Sequence, residues 1–201
     1  MVTISIPTYN RYNLLKTMAA SLYQSNLDIP HNIRIYDDCS TEYTVDELKM
    51  LFPDAAAIKR NSTNLKADGN TYSFYRDFLS TSDSFLFNAD SDLLFSKNWL
   101  VDGLKLIKKT DGILTLFNAT SHPVKEIHDD TFCIKNHIGA AGTLFTREKV
   151  EQIVDYFSKT NETAIKYFDW KWSELLNRNN TRIFCVNNSL VQHIGFVGQN
   201  S

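Results

Sequence analysis

The residues best suited to chemistry are Asp90 and Asp92 of Asp90-Ser91-Asp92, which closes the apolar run Phe85-Leu86-Phe87-Asn88-Ala89. On extended chain an i, i+2 spacing sets both carboxylates on one side of the backbone. Two hard oxygen donors can hold a divalent cation that keeps positions open for a phosphate ligand. Strand ends in open α/β sheets are also where such folds bind ligands. A short acidic pair is equally a common solvated turn, so its chemistry depends on what else reaches the same sheet edge.

Three other segments offer candidates. Pro7-Thr8-Tyr9-Asn10-Arg11 follows a β-branched run and brings a ring, Tyr9, on which a nucleobase can stack; the alternative is an ordinary strand-to-helix turn. Asp37-Asp38 follows the run Ile33–Asp37. A carboxylate there can accept the imino hydrogen of a uracil ring, or it can cap the helix that follows. Late in the chain come Asp169, at a helix start where the dipole alone favours an acid, and His193, between Gln192 and Ile194. Such a histidine serves either as a metal ligand or as a packed edge residue.

These side chains need strands and helices to carry them. Val2–Pro7 reads as a β-branched strand, and Tyr12–Ser25 sets Leu14, Leu15, Met18 and Leu22 at helical spacing. Ile33–Asp37 is a second strand, Val45–Phe52 a helix stopped by Pro53, Ala55–Lys59 a weaker strand, Thr71–Leu79 a helix and Ser84–Ala89 a buried strand. Beyond the acidic pair, Trp99–Lys109 is amphipathic, with Lys108 and Lys109 at its C-terminal dipole. Ile113–Phe117 reads as a strand, Val124–Ile127 and Phe132–Ile134 as a hairpin, and Leu144–Thr146 leads into a helix over Glu148–Phe157. A helix over Asp169–Arg178, a strand at Ile183–Val186 and a short apolar piece at Leu190–Ile194 complete the pattern. Alternating strand and helix followed by a more mixed half predicts an α/β fold with a mostly parallel sheet and an appended antiparallel part.

At 201 residues the chain fits one domain with a sizeable core. Its hydrophobic content of 43% and charged content of 22% are ordinary for a globular protein. A net charge of -2 argues against a nucleic-acid partner bound through bulk positive charge. No apolar run is long enough for a transmembrane segment, and Met1-Val2-Thr3-Ile4-Ser5-Ile6 reads as a core strand rather than a signal peptide. The three cysteines, Cys39, Cys133 and Cys185, form no C-x-x-C, and their odd count fits a reducing, cytoplasmic compartment. The tail from Gly195 to Ser201 has no closing element, which suits an excerpt of a longer protein with further domains C-terminal.

From Val2 to about Gly195 the chain resembles the GT-A-fold glycosyltransferases of the large family 2 type. Ile4-Ser5-Ile6-Pro7-Thr8-Tyr9-Asn10-Arg11 is similar to that family's opening strand and nucleotide loop, and Ile35-Tyr36-Asp37-Asp38-Cys39-Ser40 to its second-strand acidic loop, with Cys39 where glycine is usual. Phe87-Asn88-Ala89-Asp90-Ser91-Asp92 matches its D-x-D position, and Gly139-Ala140-Ala141-Gly142 resembles its acceptor-side segment. Phe168-Asp169-Trp170 falls where the family has a Glu-Asp pair; Phe168 replaces the first acid and Asp169 keeps the second. Val191-Gln192-His193-Ile194-Gly195 resembles a C-terminal histidine motif found in part of the fold class. More weakly, the chain looks like the N-terminal glycosyltransferase domain of a large algal DNA virus protein, which would place it in host cytoplasm.

The resemblance implies a GT-A fold, with a Rossmann-like, mostly parallel central sheet flanked by helices. It implies a single domain, its nucleotide-binding half covering about 1–95 and its acceptor-binding half about 96–201. The implied activity is metal-dependent transfer of a hexose or deoxyhexose from a UDP-sugar, glucose first and rhamnose or galactose next, to a hydroxyl of a glycan or glycoprotein acceptor. Asp92 and His193 would ligate Mn²⁺ or Mg²⁺. Pro7, Tyr9, Asp38, Lys66, Asp90 and Ser91 would line the nucleotide site, with Asp90 at the ribose or a metal-bound water. Asp169 would be the general base of an inverting displacement, and Trp170 or Trp172 could present an indole face to the acceptor. Three rivals remain. A sugar nucleotidyltransferase is disfavoured by the lack of glycine in residues 7–13. A glycoside hydrolase leaves the nucleotide features unexplained. A non-catalytic nucleotide- or glycan-binding module is disfavoured because Asp90, Asp92 and Asp169 are all present.

Overall fold

The fold comes from a computed structural model, which describes residues 1–160 and 165–195; the tail at 196–201, read above as lacking a closing element, lies outside the described residues. Eleven strands and six helices follow in chain order: β1 (Val2–Thr8), α1 (Tyr12–Gln24), β2 (His31–Asp37), α2 (Val45–Leu51), β3 (Ala57–Arg60), α3 (Lys66–Leu79), β4 (Phe85–Asn88), β5 (Leu93–Phe95), α4 (Trp99–Ile107), β6 (Ile113–Thr115), β7 (Val124–Ile127), β8 (Phe132–Lys135), β9 (Thr143–Thr146), α5 (Arg147–Ser158), α6 (Phe168–Arg178), β10 (Ile183–Val186) and β11 (Val191–His193).

Nine of the strands form one sheet in the order β3-β2-β1-β4-β9-β6-β10-β8-β7. β1 pairs in parallel with β2 and β4, and β2 with β3. β9 enters antiparallel between β4 and β6, and the β7–β8 hairpin closes one edge. Successive residues of the inner strands face opposite sides, as the pleat requires. Ile35, Phe87, Leu114, Leu144 and Phe184 pack on one face with Leu15, Met18, Leu22 and Trp99. Their neighbours Tyr36, Leu86, Ile113, Phe145 and Ile183 pack on the other with Phe74, Val150, Phe168 and Trp172. This is the GT-A arrangement expected of the sequence, a sheet between two helical layers.

Three local readings are refined. The helix read as starting at Thr71 begins at Lys66, because Asp38 accepts hydrogen bonds from Leu65 N and Asn61 Nδ2 and holds that segment against β2. Leu144–Thr146 is the end of a central strand, β9. Leu93–Phe95, unread in the sequence, is a strand that pairs antiparallel with β11 in a separate two-stranded sheet. Each depends on a partner far along the chain.

Partly buried polar groups tie the helices to the sheet edge. Arg147 lies over the Phe78 ring and donates to the carbonyls of Asp83 and Thr81 at 2.9 and 2.8 Å. Asp68, in the first turn of α3, accepts from Tyr167 N and Phe168 N at 2.9 and 3.2 Å. It thereby supplies the start of α6 with the partners that a helix N-terminus otherwise lacks. Trp172, fully buried, packs edge-on to Phe145 and anchors the same helix. Trp172→Ala is expected to cost about 3–5 kcal/mol of stability, as large aromatic deletions from cores do. Urea unfolding measures this, and a loss under about 1 kcal/mol would mean that α6 is not anchored by that ring.

Candidate active site

The C-terminal ends of β1, β2 and β4 and the start of α3 enclose a cleft of about 660 Å³. Pro7, Tyr9, Asp38, Lys66, Asp90, Ser91, Asp92 and His193 all line it. Asp169 is not among its lining residues.

The floor is built by the turn after β4. Asn88 Nδ2 donates to Asp90 Oδ1 at 2.6 Å, Ala89 N to Ser5 O at 2.8 Å, and Leu93 N closes the turn on Asp90 O at 3.2 Å. The two carboxylates therefore come together through a turn and not through the extended i, i+2 geometry read from the sequence. The short distance from Asp90 to the start of β5 leaves no room for a strand. β11 then lies along β5 with His193 opposite Leu93, and Ile194 N donates to Asp92 O at 3.0 Å. That pairing brings an imidazole to the acidic turn across a hundred residues of chain. Asp90, Asp92 and His193 each offer a ligand atom, and these atoms lie within 4.8 Å of one another.

The electrostatics follow from this crowding. Burial, followed by the charge of Asp92, pushes Asp90 up to about 6. Burial also opposes ionisation of Asp92, but His193 and Arg11 outweigh it and hold that carboxyl below the usual range. Arg11 Nη1 sits 2.9 Å from Asp92 Oδ2, and His193 Nε2 lies 3.1 Å from Oδ1. The Asp92 carboxylate raises the His193 imidazole above its ordinary value. Asp92 Oδ1 is buried and receives no well-directed hydrogen bond among the described residues. Buried carboxylate oxygens are normally satisfied. An under-satisfied oxygen beside a second carboxylate and an imidazole is a donor set that suits a Mn²⁺ or Mg²⁺ ion.

The opposite wall comes from the first two βα loops. Asn10 and Arg11 both take left-handed backbone, with φ of 51° and 57°. Asn10 Oδ1 accepts from Thr41 N at 2.8 Å and Asn10 N donates to Ser40 Oγ at 2.8 Å, so the Asn10 side chain ties the two loops together. Asp37 is fully buried, accepts from Thr8 Oγ1, Arg60 Nε and Ser40 Oγ, and organises the β2 loop from beneath. Asp38 faces the cleft but uses Oδ1 on Asn61 and Leu65. Cys39 has φ 63°, a conformation glycine adopts more cheaply, which gives a physical reason for the glycine usual at this point of the resembling family. Tyr9 stands 38% exposed at the rim, leaving a ring face accessible.

Asp169 opens α6 beyond the cleft's edge. Its Oδ1 accepts from Trp170 N at 2.8 Å. Burial raises its pKa; the Trp170 N–H opposes that and the Asp68 charge adds to it. The Asp169 charge in turn contributes to raising Asp90. Tyr75 is fully buried, and its ionisation is suppressed by burial and by the charges of both acids. Trp172 packs in the core, whereas Trp170 is 51% exposed.

Sequence reasoning did not single out Arg11, Asn64, Asn70, Thr71 or Gly195, all of which line the cleft. Arg11 stood inside a quoted motif, but only the fold shows that its guanidinium reaches Asp92. Gly195 carries a steric signal that is invisible in sequence: a Cβ there would stand 2.0 Å from Asp92 Oδ2. Among the described residues no helix is long and apolar enough to cross a membrane.

Three solved structures illustrate the same fold. S. aureus TarS residues 1–349, in complex with UDP-GlcNAc, matches at 15% identity and a TM-score of 0.66, covering 98% of this chain and 61% of that one. The mannosyltransferase PcManGT of Pyrobaculum calidifontis, in complex with GDP-Man and Mn²⁺, matches at 15% identity and a TM-score of 0.67, covering 94% and 54%. GalNAc-T7 with UDP, GalNAc and Mn²⁺ matches at 11% identity and a TM-score of 0.70, covering 96% and 44%. The chain thus spans less than two thirds of each of these proteins. No curated protein matches the chain. The sequence profile described as glycosyl transferase family 2 matches residues 3–132, and the chain belongs to that family.

Proposed function

We propose that this chain transfers a sugar from a nucleotide diphosphate donor to a hydroxyl of a glycan or glycoprotein acceptor, with inversion and with a divalent cation bound. The observation that carries this reading is the convergence of Asp90, Asp92 and His193 on one wall of a cleft whose other wall bears Tyr9 and Asp38. Likeness to solved enzymes in complex with UDP-GlcNAc, or with GDP-Man and Mn²⁺, supports the donor class. Uridine diphosphate is the preferred carrier, because the free carboxylate oxygen of Asp38 can accept the uracil imino hydrogen while Tyr9 stacks on the ring. Glucose is the first candidate sugar, with rhamnose and galactose next.

Asp92 and His193 would hold Mn²⁺ or Mg²⁺, with Asp90 at the ribose or a metal-bound water. When bound, the ion supplies Lewis-acid stabilisation to the departing diphosphate. Ser91 and Pro7 shape the donor site. Lys66, with left-handed backbone at φ 66° and drawn to the cleft by the Leu65–Asp38 hydrogen bond, stands ready to meet a phosphate. Arg11 can leave Asp92 to do the same. Asp169 takes the acceptor's proton as the acceptor oxygen bonds to the anomeric carbon. The bond from that carbon to the phosphate oxygen breaks, and its electron pair leaves with the diphosphate. A carboxylate pushed up by burial is a better base than an exposed one. The two proposed halves, about 1–95 for the donor and 96–201 for the acceptor, meet where β9 enters beside β4.

Calorimetry should show uridine diphosphate binding that depends on Mn²⁺ and that Asp92→Ala weakens at least tenfold, about 1.4 kcal/mol; equal binding with and without metal would remove Asp92 from the metal site. Asp169→Asn should retain that binding and lose about 10²–10⁴-fold in transfer to acceptor, whereas unchanged transfer rules out Asp169 as the base. The base works deprotonated, so transfer falls as pH drops through the Asp169 pKa, and the raised value sets this acid limb above the ordinary carboxylate range. Asp68→Asn keeps an acceptor oxygen at the α6 N-terminus but removes a charge that raises Asp169. It should move the acid limb to lower pH, and a limb that stays in place or rises would assign it to another group.

A further inference from the structure

Beyond Asp169 the surface carries an aromatic cluster that neither the fold nor the donor site uses. The His137 ring and the Trp170 indole stack with centroids 3.9 Å apart and planes 24° from parallel. His122 meets His137 edge-on at 5.3 Å. Helical packing of α6 is served by Trp172, two residues on and fully buried. Trp170 is instead left half in water, although an indole face is costly to leave wet.

The cluster is joined to the proposed base. The Trp170 N–H donates to Asp169 Oδ1. A Cβ built on Gly139 would stand 3.5 Å from His122 Cε1 and 4.0 Å from Asp169 Oδ2. The bare backbone of Gly139 therefore separates the His122 ring from the carboxylate, and no side chain fills the gap. The segment from Gly139 returns to the acidic turn through Gly142 N, which donates to Asn88 O at 2.9 Å. The loop that carries Gly139 is thus tied at its far end to the strand that leads into the acidic turn.

Resting on the glycosyl-transfer reading, we propose that Trp170 and His137 form the floor of an acceptor subsite for an uncharged pyranose, laid flat on the exposed indole face with a hydroxyl toward Asp169. The C–H face of a sugar ring matches the electron-rich face of an indole, and the ring's equatorial hydroxyls stay in water or meet imidazole nitrogens. The surrounding charges favour a neutral ring. Asp169 and Asp68 would repel a carboxylate or phosphate. The Lys135 ammonium is buried and committed to Ala119 O at 2.8 Å. Burial, with His137 and Lys135 close by, keeps His122 uncharged near neutrality.

Saturation-transfer NMR tests this with methyl glucoside, galactoside, mannoside and N-acetylglucosaminide, and with methyl glucuronide as the charged counterpart. At least one neutral glycoside should receive saturation on its ring C–H protons, retained in Trp170→Phe and lost in Trp170→Ala, while the glucuronide receives none. Absence of signal from all four neutral glycosides, equal signal in Trp170→Ala, or an equal response to the glucuronide would overturn the proposal. Uridine diphosphate binding with Mn²⁺, measured on the same samples, separates the two readings. Trp170→Ala that still binds nucleotide is folded and has lost only the subsite. Wild-type protein that binds a glycoside but no nucleotide would leave the platform standing and sink the donor assignment.

Discussion

Two carboxylates in a half-buried turn repel each other, and the architecture around the cleft can be read as an answer to that cost. Asp90 cannot easily ionise beside Asp92 in so dry a place. Asp92 stays charged only because Arg11 and His193 flank it. These two partners arrive from opposite ends of the chain, one on a left-handed loop after β1 and one on a strand that pairs with β5. A turn held in this way has a standing affinity for positive charge. The Arg11 guanidinium meets part of it, and the three ligand atoms of Asp90, Asp92 and His193 are close enough together for a cation to meet the rest.

The rest of the sheet edge follows from holding that turn in register. Asn88 is the junction: its side chain reaches Asp90, and its carbonyl accepts from Gly142 N of the loop before β9. Asp38 and Asn10 lock the first two loops to each other and to the start of α3 through short-range polar bonds. Asp68 extends the same construction to α6 by supplying the hydrogen bonds that its N-terminus lacks. The acids around the cleft are thus divided between two tasks. Asp37 and Asp68 hold backbone and loops; burial opposes ionisation of Asp90, Asp92 and Asp169, and of these three Asp92 alone is flanked by a guanidinium and an imidazole that outweigh it.

Most of the fold was legible because alternation is a local signal. The runs Val2–Pro7 and Ile33–Asp37 are β-branched, Ser84–Ala89 is carried by Phe85, Leu86 and Phe87, and the helices between them show regular apolar spacing. Most of the cleft-lining side chains were legible for a related reason. They follow strand ends, and a parallel sheet brings all its strand ends to one edge. The illegible parts share a different cause. β5 is three residues long and is a strand only because β11 lies against it. β9 takes its central, antiparallel place from β4 and β6. The first turn of α3 is set by a hydrogen bond that Leu65 N donates to Asp38 and not by its own residues.

The sequence by itself determined the kind of chemistry: which acids stand after which strands, the ring and amide of the first loop, and a histidine near the end. Those are matters of residue type and order, and order along a parallel sheet translates directly into place. Tertiary structure alone decided which acid is which. Asp90 and Asp92 differ because only one of them is flanked by Arg11 and His193, and Asp37 and Asp38 differ because one is sealed beneath the loop while the other faces the cleft. Tertiary structure also separated Trp170 from Trp172, leaving one indole in water beside Asp169 and the other in the core. Charge, burial and distance are set by what folds against a residue, and sequence spacing says nothing of that.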